Sequence, residues 1–265
     1  MAGAHISNMA PDRLWRLREA IENIQHFQFD REKLPLALGA AGLDSRLGGG
    51  ISFGALHEMA PERPGDFGAA CGFTLALACL AAKGGGETLW IQTDFARLEG
   101  GALYGTGLDL FGLPSQRLLV LRARRAVDAL FAMEEALKCR AVACVIAELP
   151  DDSADLTATR RLSLAARDHR GLGLLLRHRS SSMPSAAMTR WNVAAASGPR
   201  DDFGGIGTTS FQLSLVKNRR GPCDRWSVAW DHHERVFLPR LVVNKADPFG
   251  MAAASADGPH RAATG

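Results

Sequence analysis

Short apolar runs alternate with longer stretches of helical period between residues 55 and 176. Strands are predicted at 55–59 (ALHEM), 88–92 (TLWIQ), 118–121, 141–147 (AVACVIA) and 173–176, and helices at 68–82, 127–138 and 156–167. Strands that are apolar on both faces and separated by helices predict a parallel sheet covered on both sides. The helix at 68–82 is apolar on nearly every face, which suits the interior of such a layer.

Beyond residue 188 the period changes to two and the helices stop. Residues 190–196, 211–216 and 226–230 predict strands, with Phe211, Leu213 and Leu215 alternating against Gln212 and Ser214, and Trp226, Val228 and Trp230 on one face. Period two with short turns predicts an antiparallel extension at the end of the α/β core. At the other end, Pro11 followed by Leu14, Leu17, Ile21 and Ile24 predicts an amphipathic helix. The last residues, 241–265, are rich in small residues, Gly and Pro and lack periodicity, which predicts a disordered tail. The expected organisation is an N-terminal helix and linker (1–32), a core (33–240) and a tail (241–265).

The 265 residues, 46% hydrophobic and 22% charged, suffice for a core without metal or disulfide staples. Cys71, Cys79, Cys139, Cys144 and Cys223 are odd in number and form no CxxC pair, so a reducing, cytoplasmic setting is expected. The longest apolar run, 69–82, is too short to span a bilayer, and no membrane association is expected. Charge is uneven: residues 1–116 hold 9 basic and 13 acidic side chains, residues 117–240 hold 20 and 13. The second half therefore favours polyanions, although far from the density that makes nucleic-acid binding obligatory.

Candidate chemistry is sparse. The segment 50–54 (GISFG) matches a nucleophile elbow around Ser52, but that elbow needs a strand before and a helix after it; here a glycine run precedes and a strand follows. His232, His233 and Glu234 are adjacent, so their side chains diverge, and no further ligand stands at a metal-site spacing. His169 and His178 read as surface or core-edge residues. No G-x-G-x-x-G follows a strand, which argues against a dinucleotide site.

More informative is the order of segments. Leu43, Asp44, Leu47, Gly48, Gly49 and Gly50, then the strand GALHEM, a loop, an apolar helix and TLWIQTD resemble the RecA-type recombinase core. In that family a Leu-Asp-x-x-Leu-Gly-Gly-Gly segment leads through such a strand into the phosphate-binding loop. The resemblance covers residues 34–240 and implies a RecA-like P-loop NTPase core. It fails at the loop itself. Where the family has Gly-x-x-x-x-Gly-Lys-Ser/Thr, this chain reads APERPGDFGAACGFT from Ala60 to Thr74, with Arg63, Gly65, Gly68 and Thr74 as the remnants. A nucleotide needs a fixed cation as well as backbone N–H groups, and neither the lysine nor the hydroxyl is present. Tight Mg-ATP binding is not expected, with a weak or partner-assisted site left open.

The resemblance places Asp94 where the family has its water-activating acid and Glu148 where it has its magnesium ligand, both at the carboxyl ends of strands. Without the lysine they read equally as vestiges or caps. FQLSLVKNRR, from Phe211 to Arg220, is similar to the family strand whose basic residues cross the subunit interface, with Lys217 and Arg219 at those positions. Residues 150–155 and 177–187 stand where the DNA-contacting loops stand. The first is acidic, with Asp151, Asp152 and Asp155, and the second carries Arg177, His178 and Arg179. Arg177, Arg179, Lys217 and Arg219 are therefore DNA or interface candidates.

The degenerate loop, the leading helix and the GALHEM segment together resemble the ImuA family of SOS mutagenesis cassettes. That resemblance implies a non-catalytic accessory of translesion synthesis that acts with ImuB, a Y-family polymerase homologue, and an error-prone replicative-type polymerase. It also implies possible contact with RecA or DNA. Two alternatives stay open on the residues: a DNA-dependent ATPase using Asp94 and Glu148 with a neighbour's Lys217 or Arg219, and an inhibitor of cell division.

Overall fold

In the computed structural model the described residues are 34–150, 153–198 and 207–240. The expected leading helix and tail lie outside them. One sheet runs through the molecule in the order β3-β2-β4-β5-β1-β6-β7-β8-β9. Its strands are β1 Ala55–Pro61, β2 Glu87–Thr93, β3 Leu118–Ala123, β4 Val142–Leu149, β5 Leu172–Arg177, β6 Thr189–Ala196, β7 Ser210–Asn218, β8 Arg225–Asp231 and β9 Val236–Pro239. From β3 to β6 every pairing is parallel; β6 to β9 pair antiparallel.

The sheet is the expected RecA-like architecture, with one refinement. Strand β6 was assigned by its period to the antiparallel extension, yet it pairs parallel with β1 and antiparallel with β7. It is the strand on which the two halves of the sheet join. Periodicity reports which faces are buried and is silent on direction.

Six helices lie among the described residues: α1 Ala41–Arg46, α2 Phe67–Ala82, α3 Asp94–Gly100, α4 Gly105–Phe111, α5 Ala126–Lys138 and α6 Leu156–His169. Helix α2 buries residues on all sides from Phe73 to Ala82. It packs on one sheet face with Trp191, Phe211, Leu213, Trp230 and Phe237. Helix α5 turns Ala129, Met133, Ala136 and Leu137 to the opposite face, and α6 turns Leu162, Ala165 and Ala166 there. By length and composition Pro64–Ala82 alone among the described helices could cross a membrane, and most of it is buried in this core.

The glycine-rich segment before β1 is a clasp. The Asp44 carboxylate accepts hydrogen bonds from the N–H groups of Leu38 (2.8 Å) and Gly39 (2.9 Å). Gly50, at φ 128°, brings Ile51 back to pair with Leu36, and a Cβ there would stand 2.1 Å from the Leu36 carbonyl oxygen. Only glycine fits that turn.

Candidate functional site

The carboxyl ends of β1, β2, β4 and β5 form the edge at which open parallel sheets place their ligands. A nucleotide phosphate there needs converging backbone N–H groups and a cation, and its magnesium needs a free carboxylate. Strand β1 ends at Pro61 and α2 starts at Phe67, so residues 62–66, with a 3-10 turn at Pro64–Asp66, are the whole connection. Neither Gly65 nor Gly68 has a positive φ, and a Cβ on either would meet open space. Their lack of a side chain therefore serves no close approach.

The electrostatics oppose a phosphate as well. Arg63 is 81% exposed and its Nε lies 3.9 Å from Asp66 Oδ2, while Asp66 Oδ1 accepts from the Ala195 N–H at 3.0 Å. Thr74 is fully buried two turns inside α2 and donates to the Ala70 carbonyl at 2.7 Å. The four remnants of the phosphate loop thus converge on no common point.

Glu148, the candidate magnesium ligand, is buried and engaged. Trp90 Nε1 (3.3 Å) and Gln92 Nε2 (3.0 Å) donate to Oε2, and His178 Nε2 lies 3.2 Å from Oε1. The Phe67 ring stacks on His178 at 4.2 Å, and Phe95 meets the same imidazole edge-on at 5.9 Å. Gly100 closes the group: a Cβ would come within 2.9 Å of Phe67 Cε1 and 3.1 Å of Glu148 Oε1. Aromatic rings and a hydrogen-bonded carboxylate pack together at this strand edge. The residues present do not fit a magnesium nucleotide.

Asp94 stands apart from this group. Its side chain is about half exposed at the start of α3, which Thr93 caps by accepting from the Ala96 N–H at 3.1 Å, and its nearest cation is Arg122 at 3.7 Å. The structure does not join Asp94 and Glu148 in one polar cluster.

A second buried carboxylate, which the sequence reading did not single out, organises the neighbouring strands. Glu58 on β1 is 1% exposed. Arg190 Nε donates to its Oε2 at 2.6 Å, and Arg177 Nη2 and the Ser185 hydroxyl donate to Oε1, each at 2.9 Å. Burial pushes the Glu58 carboxyl up, and the two guanidiniums outweigh it, leaving the group below its usual range. The signal was visible as an acid inside a fully buried strand, which demands cations brought from elsewhere.

That cluster revises two of the DNA candidates. Arg177 is 2% exposed and also donates to the Ala154 carbonyl at 3.0 Å, so it ties the acidic loop to the sheet instead of reaching for a phosphate. Lys217 donates to the Ser185 carbonyl; burial, then Arg219, lowers its pKa. Arg190 holds the Ser181 and Met183 carbonyls at 2.7 and 2.8 Å, which straps residues 178–187 onto the sheet. Arg179 and Arg219 keep exposed side chains.

The remaining candidates are structural. Ser52 is buried, its hydroxyl receives Arg220 Nη1 at 2.8 Å, and His57 Nε2–H donates to its carbonyl oxygen at 2.9 Å, not to its hydroxyl. The other ring nitrogen, Nδ1, accepts from the Thr189 hydroxyl at 2.7 Å, and that oxygen accepts from Trp191 Nε1–H at 2.8 Å. Burial lowers the His57 pKa to about 4 against the Ser52 hydrogen bond, with Arg220 adding to the fall. His232 and His233 lie exposed in a turn whose N–H groups bond Asp231. No group of three or more His, Cys, Asp or Glu among the described residues is placed to hold a metal.

No protein-family model matches the chain. Among curated proteins it is similar to the protein ImuA of Caulobacter vibrioides strain NA1000 / CB15N, with 30% identity over 236 residues that span 83% of this chain and 93% of that protein. The same figures hold for the ImuA of strain ATCC 19089 / CIP 103742 / CB 15. A match at this identity over nearly the whole relative, carried on a RecA-like sheet, means that the chain belongs to the ImuA family.

Proposed function

We propose that this protein is a non-catalytic accessory of damage-induced mutagenesis, working beside an ImuB-type polymerase homologue and an error-prone replicative-type polymerase in translesion synthesis. The observation that supports this most is the packed strand edge: Phe67, His178, Gly100 and Glu148 lie against one another at the carboxyl end of a RecA-like sheet. A member of the ImuA family built this way contributes surfaces, not turnover. Of the four basic candidates, Arg179 and Arg219 have exposed side chains, and Arg177 and Lys217 are turned inward.

The test is damage-induced mutation frequency in a strain deleted for the gene, with survival and cell length recorded together. Induced mutations and survival should fall and return on complementation, including by Asp94→Asn. Unchanged mutation frequency with altered cell length would overturn this reading in favour of a division inhibitor. DNA-stimulated ATP hydrolysis that Asp94→Asn abolishes would overturn its non-catalytic part.

A further inference from the structure

The two outer strands of the sheet are guarded very differently. Strand β9 spans only Val236–Pro239 and ends in a proline followed by Arg240, both of which discourage further pairing. Strand β3, at the other end of the order, carries Leu118, Leu119, Val120 and Leu121 in succession, none of them fully buried, and Val120 is 50% exposed. Its one bonded neighbour among the described residues is β2, so the outward row of backbone N–H and C=O groups is unpaired there. Helix α5, packed on β2, β3 and β4, turns Val127 (59% exposed) and Phe131 (53%) outward.

We infer that the β3 edge is a docking site for an extended, acidic segment of another protein, added as a further strand. Only a strand satisfies a row of alternating donors and acceptors, and apolar residues on it would cover Val120 on one face and the Leu119 and Leu121 side on the other. Charge selects the partner. Arg117 and Arg124 are exposed at the two ends of β3, and Arg122 is held only loosely by Asp94, at 3.7 Å. A second copy pairing edge to edge would set these arginines against each other, and like charges across a strand pair destabilise it. An acidic strand neutralises them. A nucleic acid would answer the charge, not the apolar strip or the backbone row. The inference concerns this surface alone and does not depend on the proposed cellular role.

The experiment uses the full-length chain and a fluorescein-labelled peptide, Asp-Glu-Val-Thr-Val-Thr-Val-Glu-Asp, beside a version with Lys at every acidic position. Anisotropy should show the acidic peptide binding at least about tenfold more tightly at low salt, with the gap closing at high salt. The double substitution Arg117→Glu with Arg124→Glu should reverse the preference. Hydrogen exchange on the unsubstituted protein should show new protection at residues 118–123 when the acidic peptide is added, which keeps the test valid even if the variant folds poorly.

Equal binding of the two peptides, or no binding of either, overturns the inference. So does equal competition by a single-stranded oligonucleotide. Protection already present in the free protein at the outward amides of 118–123, those not bonded to β2, would do the same, by showing that the chain's own residues or a second copy cover the edge.

Discussion

Glu58 and Glu148 are two acids on parallel strands of one sheet, buried to nearly the same degree, and they are satisfied by opposite means. Glu58 is matched by two guanidiniums, Arg177 and Arg190, that come from β5 and β6 and go on to hold the carbonyls of Ala154, Ser181 and Met183. Glu148 accepts from the uncharged donors Trp90 and Gln92 and is closed in by His178, Phe67 and Gly100 packed beside it. Cations compensate charge at a distance and tie loops together. Neutral donors and rings satisfy geometry and fill space. The first site therefore organises the loops beyond the sheet, and the second closes the edge at which a ligand would enter.

The widest separation between the two is expected from the same isosteric change at each. Glu58→Gln keeps the shape and removes the charge that two buried guanidiniums need, and loss of one partner from such a group costs about 3–5 kcal/mol. Glu148→Gln keeps an acceptor and forfeits only the added strength of bonds to a charged group, about 1 kcal/mol. Urea unfolding measures both; equal losses would mean that the distinction drawn between them is wrong.

A third buried polar group, His57, lies beside Glu58 in sequence on the opposite sheet face, and it sharpens the comparison through pH. Its folded pKa of about 4 is below the ordinary histidine value of 6.5, so the folded state refuses a proton that the unfolded chain accepts. The stabilisation is complete above pH 6.5 and falls away down to pH 4, a loss of roughly 3 kcal/mol from this residue. Glu58 works in the same direction but at lower pH, since its carboxyl is depressed from 4.5. His57→Gln should flatten the stability profile between pH 6.5 and 5 and leave the steeper fall below pH 4.5. A profile identical to the parent's would show that His57 takes up a proton as readily in the fold as in the unfolded chain.

Packing at the second site is tested by Gly100→Ala. The new methyl would press on Phe67 Cε1 and Glu148 Oε1, and overpacking of this kind costs about 1–3 kcal/mol. The tryptophan emission of Trp90, bonded to Glu148, should shift with it. A neutral substitution with unchanged emission would mean that the edge is looser than its distances indicate.

How far these two sites could be read in advance differs for a physical reason. The sheet was legible because burial writes itself into sequence as period: residues 141–147 and 211–216 could only be strands with their observed faces. The glycine segment at 48–50 was located by its resemblance to the RecA-type order of segments, but its closure through Asp44 and Leu36 was not read from it. Glu148 was located by its strand end, but its partners Phe67, Trp90 and His178 come from three other segments. No local spacing predicts that a ring will stack there. Nothing local to GALHEM marks Glu58 as the partner of Arg177, and the loop position of Arg177 points to DNA while its true partner lies 119 residues earlier. Long-range ion pairs leave only one trace, a charge where the period demands an apolar residue.

The smallest effect is expected where the resemblance to active RecA-type proteins was most suggestive. Asp94 is 53% exposed and 3.7 Å from an Arg122 that is itself 59% exposed, so Asp94→Asn removes a solvent-screened pair worth at most about 0.5 kcal/mol. Thr93, not Asp94, caps α3, so the helix keeps its start. Thermal unfolding should therefore be unchanged within error, and induced mutagenesis in a complemented strain should match the parent. The contrast with Glu58→Gln is the point of the measurement: of the acids near the carboxyl ends of these strands, the one in the position of a catalytic residue is dispensable and the one in the position of a structural residue is not. A normal melt combined with lost mutagenesis would reverse that order, because a half-exposed carboxylate that matters without stabilising the fold must act on something outside it.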